Sequence, residues 1–88
     1  MPLRLTLLSR AYCHLCDEML AAVTPLAAAR GAKVVVVDVD ADPALDAKYG
    51  DLVPVLFLGD PGRGIELGHY HLDSARVDAA LAAAAALD

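Results

Sequence analysis

LRLTLLSRAYCHLC, residues 3–16, decides how this chain is read: an alternating stretch runs into both cysteines of the sequence, spaced Cys-x-x-Cys. Leu3 to Leu8 alternates apolar with polar residues before its end, the pattern of a strand. Beyond the cysteines, Leu15, Met19, Ala22 and Leu26 recur at helical spacing, and Leu20, Val23 and Ala27 widen the stripe. Gly31 supplies a stop just after Arg30. Pro25 falls inside this helix and removes one backbone hydrogen bond, which predicts a kink, or a restart with Thr24 as cap and Pro25 in the first turn. Cys13 and Cys16 therefore sit where a strand hands over to a helix.

Working outward, Lys33 to Val39 contains four consecutive valines, a β-branched run expected in a strand buried on both faces with helices above and below. In DADPALDAKYG, residues 40–50, Asp42 is a cap, Pro43 lies in the first turn and Gly50 follows Tyr49, which makes a short second helix. Asp38, Asp40 and Asp42 read as caps and strand-end residues rather than a cation site, because no ligand-rich loop with a central glycine accompanies them. Val53 to Leu58 is a third strand, and Asp60 to Gly64 turns it into a fourth over Ile65 to Gly68. Asp73 caps a last helix from Ser74 to Leu87, with Val77, Leu81, Ala84 and Leu87 on one face and a strongly helix-forming alanine run. The expectation is an α/β chain in one domain, residues 1–88, in the order β-α-β-α-β-β-α.

Composition narrows the function. Hydrophobic residues make up 58% of the chain, so no segment is polar enough to stay disordered. The formal charge is -5 and the seven Lys and Arg are scattered singly, so a nucleic-acid backbone finds no basic stripe to grip. Met1 to Ser9 is too short for the hydrophobic region of a signal peptide and is interrupted by Arg4, and nothing longer resembles a membrane span. A cytoplasmic monomer with no membrane or nucleic-acid partner is expected. In that reducing compartment a permanent structural disulfide is disfavoured, and close cysteine pairs are catalytic or metal-binding.

A helix N-terminus presents unpaired N–H groups and the positive end of the macrodipole, and both favour a thiolate over a thiol. Such placement lowers a cysteine pKa from about 8.5 to roughly 3.5–7.5. Cys13 occupies that end, while Cys16 lies one turn deeper and within disulfide reach, so Cys13 is expected to attack and Cys16 to resolve. Arg10 and a protonated His14 favour the thiolate; Asp17 and Glu18 oppose it by like charge. Pro54 cannot donate to a ladder, so it either opens a strand in the trans form or, if cis, turns the Val53 backbone outward toward a bound peptide. A Cys₂His₂ zinc site from Cys13, Cys16, His69 and His71 is formally possible, although ordinary surface or cap histidines are the better reading. The same cysteine pair is also compatible with an iron–sulfur cluster shared by two chains, or with a binding module that performs no catalysis.

With these elements in place, the chain resembles the glutaredoxin branch of the thioredoxin superfamily along its whole length. The likeness rests on RAYCHLC at a helix start, the valine-rich second strand, DADPALDAKYG, LVPVLFLG and a terminal helix. It is closest to small glutaredoxin-like proteins of bacteria. The resemblance implies a thioredoxin fold: a four-stranded mixed sheet with helices on both faces, a nucleophilic Cys13, a resolving Cys16, and a cis bond before Pro54 facing the cysteines. It further implies a thiol–disulfide oxidoreductase with no bound cofactor, acting on a disulfide-bearing protein or with glutathione as co-substrate. Arg10, Tyr12, His14, Val53, Pro54 and Asp73 are the residues expected to meet the substrate. The chain departs from the glutathione-using pattern at several points. Leu52 precedes Val53–Pro54 in place of a threonine, His14 replaces the usual proline, and Gly68-His69-Tyr70-His71-Leu72-Asp73 stands where a Gly-Gly pair is closely followed by an aspartate.

Overall fold

In the computed structural model of the chain, which describes residues 3–86, the elements run β1 (Arg4–Ser9), α1 (His14–Ala29), β2 (Lys33–Asp38), α2 (Pro43–Tyr49), β3 (Val55–Leu58), β4 (Ile65–His69) and α3 (Ser74–Ala85). Short 3-10 turns flank α2 at Val39–Ala41 and Gly50–Leu52. The element order is the expected one, and the four strands form one mixed sheet in the order β2-β1-β3-β4. β1 is parallel to β2 and antiparallel to β3, and β3 is antiparallel to β4. Among the described residues no helix is long and apolar enough to cross a membrane.

Alternation along the central strands divides the interior in two. Leu5, Leu7, Leu56 and Leu67 meet Met19, Val23 and Ala27 of α1 and Val77 and Leu81 of α3 in the larger core. Leu8, Val55 and Phe57 point the other way, where Val39 and Tyr49 cover them. Tyr49 stands edge-on to Phe57 with ring centroids 5.4 Å apart. Helices thus cover both faces of the sheet. Each fully buried Leu or Val side chain contributes roughly 1.5–3 kcal/mol relative to exposure. Thr6, the buried polar residue of β1, donates its hydroxyl to the Gly59 carbonyl at 2.7 Å and so is not itself left an orphan donor.

Several expectations need correction. β2 is not buried on both faces: it is an edge strand, and Val36 is 49% exposed. The strands buried on both faces are the central β1 and β3. A β-branched run reports preference for extended backbone, which edge and centre share, and does not report position in the sheet. α1 neither breaks nor restarts at Thr24–Pro25; it is one helix of 16 residues. Both residues are exposed, and the Thr24 hydroxyl donates to the Leu20 carbonyl at 2.6 Å instead of capping a new helix. The buried stripe of α1 is Cys16, Met19, Val23 and Ala27, rotated from the expected one, so that Ala22 is exposed. β3 begins at Val55, which leaves Val53 and Pro54 in the preceding loop, while β1 both begins and ends one residue later than expected and β4 runs one residue further. Leu87 lies outside the described residues.

The helix ends follow their local chemistry. Gly31 takes φ +67° just after α1, the left-handed geometry that ends a helix and favours glycine. Asp42 caps α2 by accepting from the amides of Ala44 and Leu45, and Asp38 accepts from the amide of Asp40. These bonds place Asp38 and Asp42 in capping roles. At the far end of α1 from the cysteines, Arg30 makes a two-pronged bond to Asp78 of α3, both contacts at 3.1 Å. That hydrogen bond, and then the guanidinium charge, hold the Asp78 carboxyl below the usual carboxylate range.

Candidate active site

The site is built where three loops leave one end of the sheet. Leu8 of β1 pairs with Val55 of β3, so the segment leaving β1 toward Cys13 lies beside the segment entering β3 through Val53–Pro54. Val55 pairs in turn with His69, which brings the segment after β4 alongside. The Val53–Pro54 bond is cis, as the resemblance implies. The Pro54 carbonyl accepts a hydrogen bond from the Tyr70 amide at 2.9 Å.

Cys13 is the N-cap of α1, with extended backbone (φ -99°, ψ 104°), and its sulfur accepts from the Cys16 amide at 3.2 Å. The residue immediately before it, Tyr12, has φ +60° and a fully exposed side chain. A non-glycine residue in this region costs about 1–2 kcal/mol, and such conformations cluster at functional sites. The two cysteines are joined in a disulfide, their Cα atoms 5.2 Å apart. Their surroundings differ: Cys13 is half-buried, whereas Cys16 is 1% exposed and packs on the underside of the helix. Cys13 is therefore the more accessible sulfur of the two.

The structure distributes the other expected residues unevenly. Tyr12, Val53 and Pro54 stand on the loops at the dithiol end. His14 is exposed, with its Nε2 3.3 Å from Glu18 Oε1. Arg10 turns away toward α2, where its guanidinium lies 2.6 Å from Asp46 Oδ1 and 3.6 Å from Asp40 Oδ1. Asp73 caps α3 through the Arg76 amide at 3.1 Å, so its carboxylate is engaged in the helix terminus. His69 and His71 do not join the cysteines: among the described residues no three His, Cys, Asp or Glu side chains gather into a set able to hold a metal ion.

Two contributors carry no mark in the sequence. Tyr70, at φ +64°, holds the proline loop twice, through its amide to Pro54 and through its hydroxyl to the Asp51 carbonyl at 2.8 Å. Its partners lie 16 and 19 positions away, beyond any local pattern. Asp46 meets Arg10 across 36 positions, and Gly50 makes room for the pair. Gly50 is right-handed at φ -54°, so no left-handed turn calls for glycine; a Cβ there would meet the ends of the Asp46 and Arg10 side chains, which would have to shift. Beside α1, Leu15, Glu18, Met19 and Ala22 face Tyr70, His71 and Leu72 across an open groove of about 210 Å³.

Comparison with known proteins agrees with this geometry. The family described as glutaredoxin-like domain (DUF836) matches residues 4–82. Protein Ne2328 from Nitrosomonas europaea has a similar solution structure, with 36% identity, 91% of this chain and 92% of that chain covered, and a TM-score of 0.77. The crystal structure of protein XcR50 from X. campestris is 43% identical over 90% of this chain and 96% of that chain, with a TM-score of 0.67. Thioredoxin 1 from Thermosipho africanus TCF52B shares the fold at 17% identity, covering 93% of this chain and 98% of that one with a TM-score of 0.62. Among curated proteins no match is found. With its helix-capping cysteine, cis proline loop and four-stranded mixed sheet, the chain has a thioredoxin-like fold and belongs to the glutaredoxin-like domain family.

Proposed function

We propose that the chain is a thiol–disulfide oxidoreductase that reduces disulfides of proteins, or mixed disulfides with glutathione, through Cys13 and Cys16. The observation that carries this reading is the asymmetry of the pair: a half-buried sulfur at the N-terminus of α1, bonded to one that is 1% exposed. In the reduced protein the orphan amides and dipole of α1 favour the Cys13 thiolate, its proton passing to solvent. That thiolate attacks one sulfur of the substrate disulfide. The substrate S–S bond breaks, its leaving thiolate takes up a proton from solvent, and a mixed disulfide with Cys13 remains. Cys16 then loses its proton and attacks the Cys13 sulfur, which expels the second substrate thiolate and closes the Cys13–Cys16 disulfide. The substrate gains two electrons and two protons, and the protein ends in the disulfide form. An external dithiol reductant completes the cycle. Tyr12, next to Cys13 in the chain, and the Val53 backbone on the neighbouring loop are the surfaces this reading assigns to an extended substrate. A cytoplasmic setting fits the reductive direction.

The test is the reduction potential of the purified dithiol, measured by equilibration with glutathione and dithiothreitol buffers, together with turnover of a small neutral disulfide. A reductant equilibrates below the potential of the glutathione couple and turns over the disulfide. A dithiol that never equilibrates with either buffer overturns the reading in favour of a binding module.

A further inference from the structure

The substrate preference of this site follows from its charges, and the inference rests on the oxidoreductase reading above. Arg10, three residues before Cys13, is the one guanidinium on the loop that leads to the dithiol. It is already neutralised: Asp46 Oδ1 lies 2.6 Å and Asp40 Oδ1 3.6 Å from the same nitrogen. Asp46 projects from α2, the backbone of Gly50 closes against both side chains, and Arg10 Nε is buried without a hydrogen-bond partner. His14, the other group able to carry positive charge on this segment, is engaged by Glu18. Lys48 of α2 lies with its ammonium over the Tyr49 ring, 5.4 Å from its centre. Against these, Asp17 in the first turn of α1 and Asp51 before the proline loop form no ion pair among the described residues.

An anionic disulfide approaching Cys13 therefore finds Arg10 and His14 already facing carboxylates, while Asp17 and Asp51 carry negative charge without an ion-pair partner among the described residues. We propose that Asp46, assisted by Asp40, is a specificity-determining residue: by sequestering Arg10 it biases the dithiol against anionic thiol substrates, glutathione among them, and toward neutral or basic peptide disulfides. Asp46 acts through Arg10 and touches no reacting atom.

Single-turnover oxidation of the reduced protein by an excess of three disulfides tests this. Cystamine is cationic, 2-hydroxyethyl disulfide is neutral and oxidised glutathione is anionic. For each variant the neutral disulfide is the internal reference, and the readout is the ratio of rate constants. The wild-type order is cystamine, then the neutral disulfide, then oxidised glutathione. In Asp46→Asn combined with Asp40→Asn, the ratio of glutathione disulfide to neutral disulfide rises about tenfold, the low end of the range that local charge exerts on association. Adding Arg10→Gln abolishes that gain, Asp46→Glu keeps the wild-type order, and ~0.5 M salt compresses all the ratios toward one. A purely structural role for Asp46 would lower all three rates together. If the neutral disulfide reacts and the ratio does not move in the double variant, the inference is overturned while the oxidoreductase reading stands; if none of the three disulfides oxidises the protein, both readings fall.

Discussion

Cys13 is at once the proposed nucleophile and the N-cap of α1, and substitution can separate the two roles. Its sulfur accepts the Cys16 amide at 3.2 Å, one of the amides at a helix start that have no partner within the helix. Cys13→Ser keeps an acceptor at that position and Cys13→Ala removes it. Neither variant can close the disulfide, so their difference is free of any contribution from the cross-link. Exchanging serine for alanine at an N-cap costs about 0.5–2 kcal/mol, typically ~1. For a domain of this size 1 kcal/mol corresponds to roughly 4–8 °C in melting temperature. Cys13→Ala is therefore expected to melt about 4–8 °C below Cys13→Ser in thermal denaturation under reducing conditions. Both variants lose thiol exchange. Equal melting temperatures, or a higher one for Cys13→Ala, would refute the capping role and with it the argument that the helix start stabilises charge on this sulfur.

Cys16→Ser should accumulate a mixed disulfide on Cys13 that the protein cannot release, seen by mass spectrometry; in the reduced wild type Cys13 should alkylate well before Cys16, and equal labelling would contradict the burial difference. Thr6→Val keeps the shape of a buried residue but leaves the Gly59 carbonyl without its 2.7 Å donor, so a loss of about 1 kcal/mol is expected from urea denaturation. Asp78→Asn tests the Arg30 pair. Because the folded carboxyl titrates below its unfolded value, its stabilisation is present above the unfolded pKa and fades as pH falls through the folded one. Wild type and variant should therefore differ in melting temperature near neutrality and converge in acid, whereas a difference that persists in strong acid would point to packing.

Much of the fold was legible because it is written locally. Leu5, Leu7 and Leu8 define a strand with two apolar faces, Asp42–Pro43 and Asp73 mark helix starts, and Gly31 ends α1 with the geometry its residue type permits. The dithiol was legible for the same reason, since strand, turn and helix start are contiguous. Long-range relations were not. Four valines do not say whether β2 lies at the edge or the centre, Pro25 does not say that its ring faces solvent, and Gly50 reads as a turn residue until Arg10 and Asp46 are seen beside it. Arg10 is the instructive case. Its position before Cys13 pointed to the substrate, and only the folded chain brings Asp46 to its guanidinium across 36 residues.

The two cores on either side of the sheet are unequal, and this bears on how the molecule opens. α1 and α3 share the larger core, whereas α2 has seven residues, fewer than the roughly 12–15 at which a helix becomes marginally stable alone. It is held by Tyr49, by partly buried Leu45 and by the Arg10 pair. Regions with few buried apolar contacts open locally at lower free energy than the whole domain unfolds. α2 is thus expected to open before the central elements, and amide hydrogen exchange should be faster there than in β1 or the middle of α1; equal protection would disprove it. Opening removes Asp46 from Arg10 and alters the charge beside Cys13. The local opening equilibrium and the selection of substrate are then thermodynamically linked: whatever steadies α2, on the opposite face of the sheet from the larger core, also steadies the charge that Arg10 presents near the dithiol.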